Sequence, residues 1–191
     1  MPTIFTHAAA AVALGKAYAR DEMPARFWLL SALCAVLPDA DVIGFAFSIR
    51  YGDLLGHRGL SHSLAFGAAL GLTVALLFFR DERILSRHWW SLACYFGVVT
   101  ASHGALDALT DGGLGVAFFA PFDNRRYFFP WQPIEVSPIG AGFFSGRGLA
   151  VLASEVVWVW LPSLLLVAAA WGVRKLLENG REAQQGKVSN S

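Results

Sequence analysis

Four runs of apolar residues, about 27–49, 60–79, 89–110 and 149–173, constrain this chain more than anything else in its sequence. Each has the roughly 20 residues that a helix needs to cross about 30 Å of hydrocarbon. In that medium only a helix or a closed barrel satisfies its own backbone hydrogen bonds. A shorter run, about 3–19, carries His7 and Lys16, and Lys16 lies near one end, where a lysine stem reaches the interface. No Lys or Arg precedes this run, so it reads as a fifth span and not as a cleaved leader. With 55% hydrophobic and 15% charged residues, and a mean hydropathy of +0.49, the chain suits lipid as its solvent. The expected fold is all-α, a polytopic membrane helix bundle of about five spans forming one domain over 1–173.

Between the last two spans lies a long Pro/Gly/aromatic loop, 112–148, with Pro121, Pro130, Pro133 and Pro138 and the run Tyr127-Phe128-Phe129-Pro130-Trp131. It cannot cross lipid as a helix and is expected to cover the bundle, its aromatics at headgroup depth. The segment 174–191 is polar and reads as a disordered tail. Fifteen Lys and Arg balance fourteen Asp and Glu, with no basic stripe, which excludes direct nucleic-acid binding. Cys34 and Cys94 fall in apolar runs without metal or redox spacing and read as packing residues.

Five spans divide the basic residues unequally. Ten, Lys16, Arg20, Arg26, Arg80, Arg83, Arg87, Arg174, Lys175, Arg181 and Lys187, share one face; five, Arg50, Arg58, Arg125, Arg126 and Arg147, share the other. The positive-inside rule makes the first face cytoplasmic, and the C-terminus with it. Trp28, Trp89, Trp90 and Trp171 mark the same side as an interfacial belt.

Ionisable groups within spans are costly and point by default to function. His7, Asp39, Asp41, His57, His62, His103 and Asp107 all fall in the outer half of the five-span topology, whereas His88 falls at the opposite interface and reads as structural. His103 and Asp107 stand four residues apart, which stacks them on one helix face as two ligands, or as a ligand and its orienting carboxylate. Asp111 is expected to continue that face or, at the helix end before Gly112-Gly113, to be simply solvated. Asp39 and Asp41 follow Pro38, whose missing N–H disturbs the helix and lets the two carboxylates converge on one metal or divide between two. Between His57 and His62, Gly59 permits a tight turn, and Arg58 suits an anionic substrate such as a phosphate. Four histidines and several carboxylates without a thiolate suit two divalent ions, zinc or manganese, with magnesium and iron as further candidates. Such a pair serves phosphoester hydrolysis. Asp41 or Asp111 would move the proton, and Arg125 or Arg126 would assist Arg58 or touch headgroups. Glu155 reads as a snorkelling surface residue.

Thr6-His7, Leu37-Pro38-Asp39-Ala40-Asp41, His57-Arg58-Gly59-Leu60-Ser61-His62-Ser63 and Ser102-His103-Gly104-Ala105-Leu106-Asp107 form a spaced set. Pro121-Phe122, Arg126-Tyr127-Phe128-Phe129-Pro130 and Ile134-Glu135-Val136-Ser137-Pro138 extend it. Over about 1–145 the chain resembles the YdjM-like family of bacterial inner-membrane proteins regarded as metal-dependent hydrolases. The resemblance implies a helical membrane domain in the inner (plasma) membrane and a hydrolase activity. For one branch it also implies a link to the SOS repressor LexA, and so a regulatory protein partner. It makes His7, Asp39, Asp41, His57, His62, His103 and Asp107 the metal ligands. The resulting expectation is a hydrolase of a phosphoester or other anionic substrate, a membrane lipid among the candidates, with its site toward the extracytoplasmic face. The alternatives are a metal or ion transporter, which needs polar groups through the full depth of the bundle, and a non-catalytic membrane regulatory protein.

Overall fold

The computed structural model describes residues 1–19, 22–138, 143–144 and 146–189. Arg20, residues 139–142 and 145 of the 112–148 loop, and residues 190–191 of the tail lie outside the described residues. The five apolar stretches become five helical elements. They are α1 (Ile4–Tyr18); α2 (Ala25–Val36), running on as a 3₁₀ segment Leu37–Phe47; α3 (Leu64–Phe78); α4 (Arg87–Ala108); and α5. The last is one rod made of Gly146–Glu155, a π-helical turn Val156–Trp160 and Leu161–Ser189. Among the described residues there is no strand, only the isolated bridges Thr110–Ile134 and Val116–Tyr127.

Two stretches are long and apolar enough to cross a membrane alone, Ala25–Phe47 and Gly146–Gly180. The 15-residue α1 and α3 reach about 22 Å at 1.5 Å per residue, short of a full crossing. Helix α4 has 22 residues, but it spends positions on His88, Ser91, Ser102, His103 and Asp107. The tail expected to be disordered from 174 instead continues α5 as far as Ser189. Its Glu, Lys, Arg, Ala and Gln are good helix formers, and extending an existing helix requires no new nucleus.

Polarity is arranged inside out relative to a water-soluble protein. Leu29, Phe47, Leu164 and Leu165 are 63–74% exposed, whereas His7, His62, His103, Asp107 and Glu155 are at most 2% exposed. Such a surface is stable only against hydrocarbon. The interior is also segregated along its length. One end is apolar, where Phe27, Leu30, Cys34, Leu92, Tyr95, Phe96 and Val99 pack between α1, α2, α3 and α4. The other end holds the buried ionisable groups.

Close helix contact sets this frame. Helix α3 packs along α4 with Gly71 at the crossing, and a Cβ there would lie 2.3 Å from the Ala93 carbonyl oxygen. Lipid tails supply no hydrophobic drive between helices, so association depends on such backbone approach through small residues. Helix α5 lies against α1 and is fastened at both ends. Arg174 donates to the carbonyls of Lys16 and Ala17, both at 2.7 Å, satisfying free C-terminal carbonyls of α1. At the other end Glu155 receives the hydroxyls of Thr3 and Thr6 at 2.7 and 2.6 Å.

Candidate metal centre

Pro38 gives α2 its unusual end. In the 3₁₀ turn the partner of the Ala35 carbonyl would be residue 38, and proline has no N–H to offer. That carbonyl instead accepts a hydrogen bond from His103 Nδ1 at 2.7 Å. The bond commits the Nδ1 proton and leaves Nε2 of a neutral His103 as a lone pair.

His62 is fixed in the same way from the other side. Its Nδ1 lies 3.1 Å from Asp41 Oδ2 and 3.0 Å from Ser61 Oγ, so its Nε2 is again an acceptor. The two Nε2 atoms face each other at 3.0 Å, with Asp39 Oδ1 at 3.3 Å from His103 Nε2 and Asp107 Oδ2 at 3.4 Å from His62 Nε2. With both imidazoles neutral, two lone pairs and two carboxylates meet here with no proton between them. Both oxygens of Asp39 and of Asp107 are buried without a hydrogen-bond partner. Four acceptors in a dry interior repel one another unless a cation lies among them. Ligand atoms around a tetrahedral ion with bonds of about 2.1 Å lie roughly 3.4 Å apart, which these separations match. Asp39, His62, His103 and Asp107 thus fit a single divalent ion, their ligand atoms all within 4.8 Å of one another.

The remaining expected residues fall around this quartet in distinct places. His7 stacks its ring on His103, centroids 3.7 Å apart, with Nε2 3.7 Å from Asp107 Oδ1 and neither nitrogen hydrogen-bonded. Asp41, His57 and His62 form a second close group. Here, however, Asp41 is saturated by donors, from His57 Nδ1 at 2.7 Å, the Arg58 amide at 3.1 Å and Ser61 Oγ at 2.6 Å in addition to His62. Its contacts make it the group that orients two histidines, not a free base. Asp39 and Asp41 in fact divide across one imidazole, Asp39 on the Nε2 side and Asp41 on the Nδ1 side.

Arg58, Asp111, Arg125 and Arg126 have partners that the sequence did not point to. Arg58 is 1% exposed and sits at φ +61°, a left-handed backbone that a branched cation adopts only where its contacts hold it. Its Nε lies 2.9 Å from Asp107 Oδ2, and its terminal nitrogens donate to the Gly112 carbonyl and to Thr110 Oγ1. It is first a counter-ion to Asp107. Each terminal nitrogen keeps one further N–H, and Nε makes an ion pair but no hydrogen bond. Asp111 does not continue the α4 face, because the helix ends at Ala108; it is exposed and accepts from the Val136 amide at 2.8 Å, holding the loop in place. It carries no proton for this site. Arg126 clamps the 51–57 segment through the carbonyls of Tyr51, Asp53 and His57. Arg125 pairs with Asp123 on the surface. Neither faces the quartet.

Glu155, read from the sequence as a surface residue, is fully buried. Besides Thr3 and Thr6 it accepts from the Thr3 amide, and Trp160 Nε1 donates to Thr6 Oγ1 at 2.8 Å. The signal in the sequence was a carboxylate inside a long apolar run opposite the hydroxyls of Thr3 and Thr6, one residue from His7. Outside the helices, a cavity of about 170 Å³ is lined by Tyr51, His57 and Arg58. Burial pushes the Tyr51 phenol up, which keeps its hydroxyl protonated and able to donate.

The family model described as "YdjM inner membrane protein" matches residues 1–177. The chain is 38% identical over 177 residues to "Inner membrane protein YbcI" of Escherichia coli (strain K12), an alignment covering 92% of this chain and 100% of that protein. No solved structure matches.

Proposed function

The chain belongs to the YdjM family of inner membrane proteins, and from that premise we propose that it is a membrane-bound, metal-dependent hydrolase of a phosphoester or other anionic substrate. The observation that carries this reading is the acceptor-only quartet of Asp39, His62, His103 and Asp107, buried and matched in spacing to one ion. Zinc or manganese suits two imidazoles and two carboxylates. When bound, such an ion polarises a phosphoryl or carbonyl oxygen and lowers the pKa of water. One ion is proposed in the quartet; Asp41, His57 and His62 form a second group with the spacing for another, and their mutual hydrogen bonds favour an orienting role for Asp41.

The other roles follow from contacts. Asp41 holds His57 and His62 in their tautomers, the second layer on which metal affinity depends. His57, its Nδ1–H held by Asp41, lines the cavity and is the group whose Nε2 lone pair takes up a proton there. Arg58 neutralises Asp107 and turns its two remaining N–H groups to an anion in the cavity. The apolar packing of the other half of the bundle supplies no polar path, which favours this reading over a transporter. The orientation proposed is the one the basic residues give, with the site on the extracytoplasmic side.

Metal content decides it. Protein purified gently in detergent is expected to hold about one divalent ion per chain by elemental mass spectrometry, and His103→Ala and Asp107→Ala variants to lose it. Wild-type protein with no stoichiometric metal after reconstitution with zinc and with manganese overturns the reading.

A further inference from the structure

The cavity beside Arg58 does not end at its polar lining. A second hollow, of about 260 Å³, is lined by Ile4, Phe5, Pro138, Phe143 and Phe144 and shares Met1 and Ser137 with the first as common walls. Of its lining, Phe5 is 67% and Phe144 90% exposed. The two hollows lie side by side about Met1 and Ser137, one lined by Arg58, His57 and Tyr51 and the other mostly by apolar side chains. No Asp or Glu lines either part among the described residues.

We propose that the two hollows form one slot, a binding site for an anionic phospholipid entering sideways from the bilayer, its phosphate headgroup against Arg58 and Tyr51 and an acyl chain in the groove beside Phe5 and Phe144. The assignment names the substrate class of the hydrolase site and rests on that reading for its reaction, though not for its binding. An acyl chain that passes from bilayer to groove exchanges one hydrocarbon surface for another, so the groove aligns the lipid without drawing it in. The charge supplies the selection. Arg58 is buried, held by two hydrogen bonds and its ion pair with Asp107, and keeps one further N–H on each terminal nitrogen, an arrangement that favours a phosphomonoester with its second negative charge over a phosphodiester masked by choline. A water-soluble phosphoester would leave the apolar half of the slot unfilled.

The test measures binding alone, on the full chain in non-ionic detergent after removal of metal with a chelator. Native mass spectrometry should find dioleoyl phosphatidic acid retained about tenfold more strongly than dioleoyl phosphatidylcholine, with inorganic phosphate at the same concentration displacing little of it. Ser137→Trp, which fills the junction of the two hollows, should lose that retention about tenfold. Phe144→Asp, at an exposed position where folding is not at stake, should lose it similarly by placing a like charge at the entrance. Equal retention of the two lipids would reduce the binding to annular lipid and overturn the proposal. So would displacement by inorganic phosphate, or wild-type retention in both variants. Protein that selects phosphatidic acid but takes up no metal would defeat the hydrolase reading and leave the slot standing. Protein that takes up metal but shows no lipid preference would defeat the slot alone.

Discussion

Asp107 is fully buried, 2.9 Å from the Arg58 guanidinium and 3.4 Å from His62 Nε2, so one carboxylate faces both a fixed cation and the proposed metal position. With Arg58 removed, a buried charge would be left without its partner. Arg58→Met is therefore expected to cost about 3–5 kcal/mol of stability, read as a lowered unfolding temperature in detergent. Metal that enters the quartet restores part of that loss, because it supplies the missing positive charge. A variant as stable as wild type in metal-free buffer would show that Asp107 is neutral there. Asp41 makes a different prediction, since it lies outside the quartet and bonds His57 and His62. Asp41→Asn should weaken metal affinity by about 10–100-fold while leaving one ion per chain at saturation. Loss of stoichiometry in that variant would make Asp41 a ligand.

At the scale of elements, the site depends on two devices that hold helices closer than ordinary side chains allow. Gly71 brings α3 onto α4, and α4 carries His103 and Asp107 to the 60–62 turn. Gly71→Ala would press a methyl into the Ala93 carbonyl and should cost about 1–3 kcal/mol, with loosened metal binding following from the displaced α4. Gly172→Ala is the control: nothing lies within 4 Å of a Cβ at that position, so it should be neutral or slightly stabilising. Similar melting curves for both variants would remove the close approach from the account. The second device is the Glu155 hook, which fastens α5 to the first turn of α1 beside His7. The π-helical turn that follows it, Val156–Trp160, shifts the register of α5 and brings Trp160 onto Thr6.

The whole molecule is a bundle whose polar and apolar interiors occupy opposite ends, with an outer surface suited to hydrocarbon. The orientation proposed for it rests on the distribution of basic residues alone. A reporter fused after Ser191 should be active in the cytoplasm, which leaves the quartet on the extracytoplasmic side. A reporter active outside the cytoplasm would invert the topology and put the site in contact with cytoplasmic substrates. The short α1 and α3 fit the same picture, because their ends meet buried polar structure of the chain itself, where backbone that is not helical is tolerated at membrane depth.

The helices and the candidate metal residues were legible in the sequence because both rest on local rules. Apolar runs in lipid must be helical, and imidazoles and carboxylates confined to one end of such runs are too costly to be incidental. The roles within the set were not legible. Asp39 and Asp41 look equivalent in a two-residue spacing, yet which faces the ion and which only steadies His57 and His62 depends on the turn geometry after Pro38 and on where His62 arrives from another segment. Glu155 was misread, and the partners of Arg58 and Asp111 were not foreseen, for the same reason: a side chain's partner lies tens of residues away, and whether a charge meets a counter-ion, a loop amide or a pair of threonines is settled only when the helices assemble.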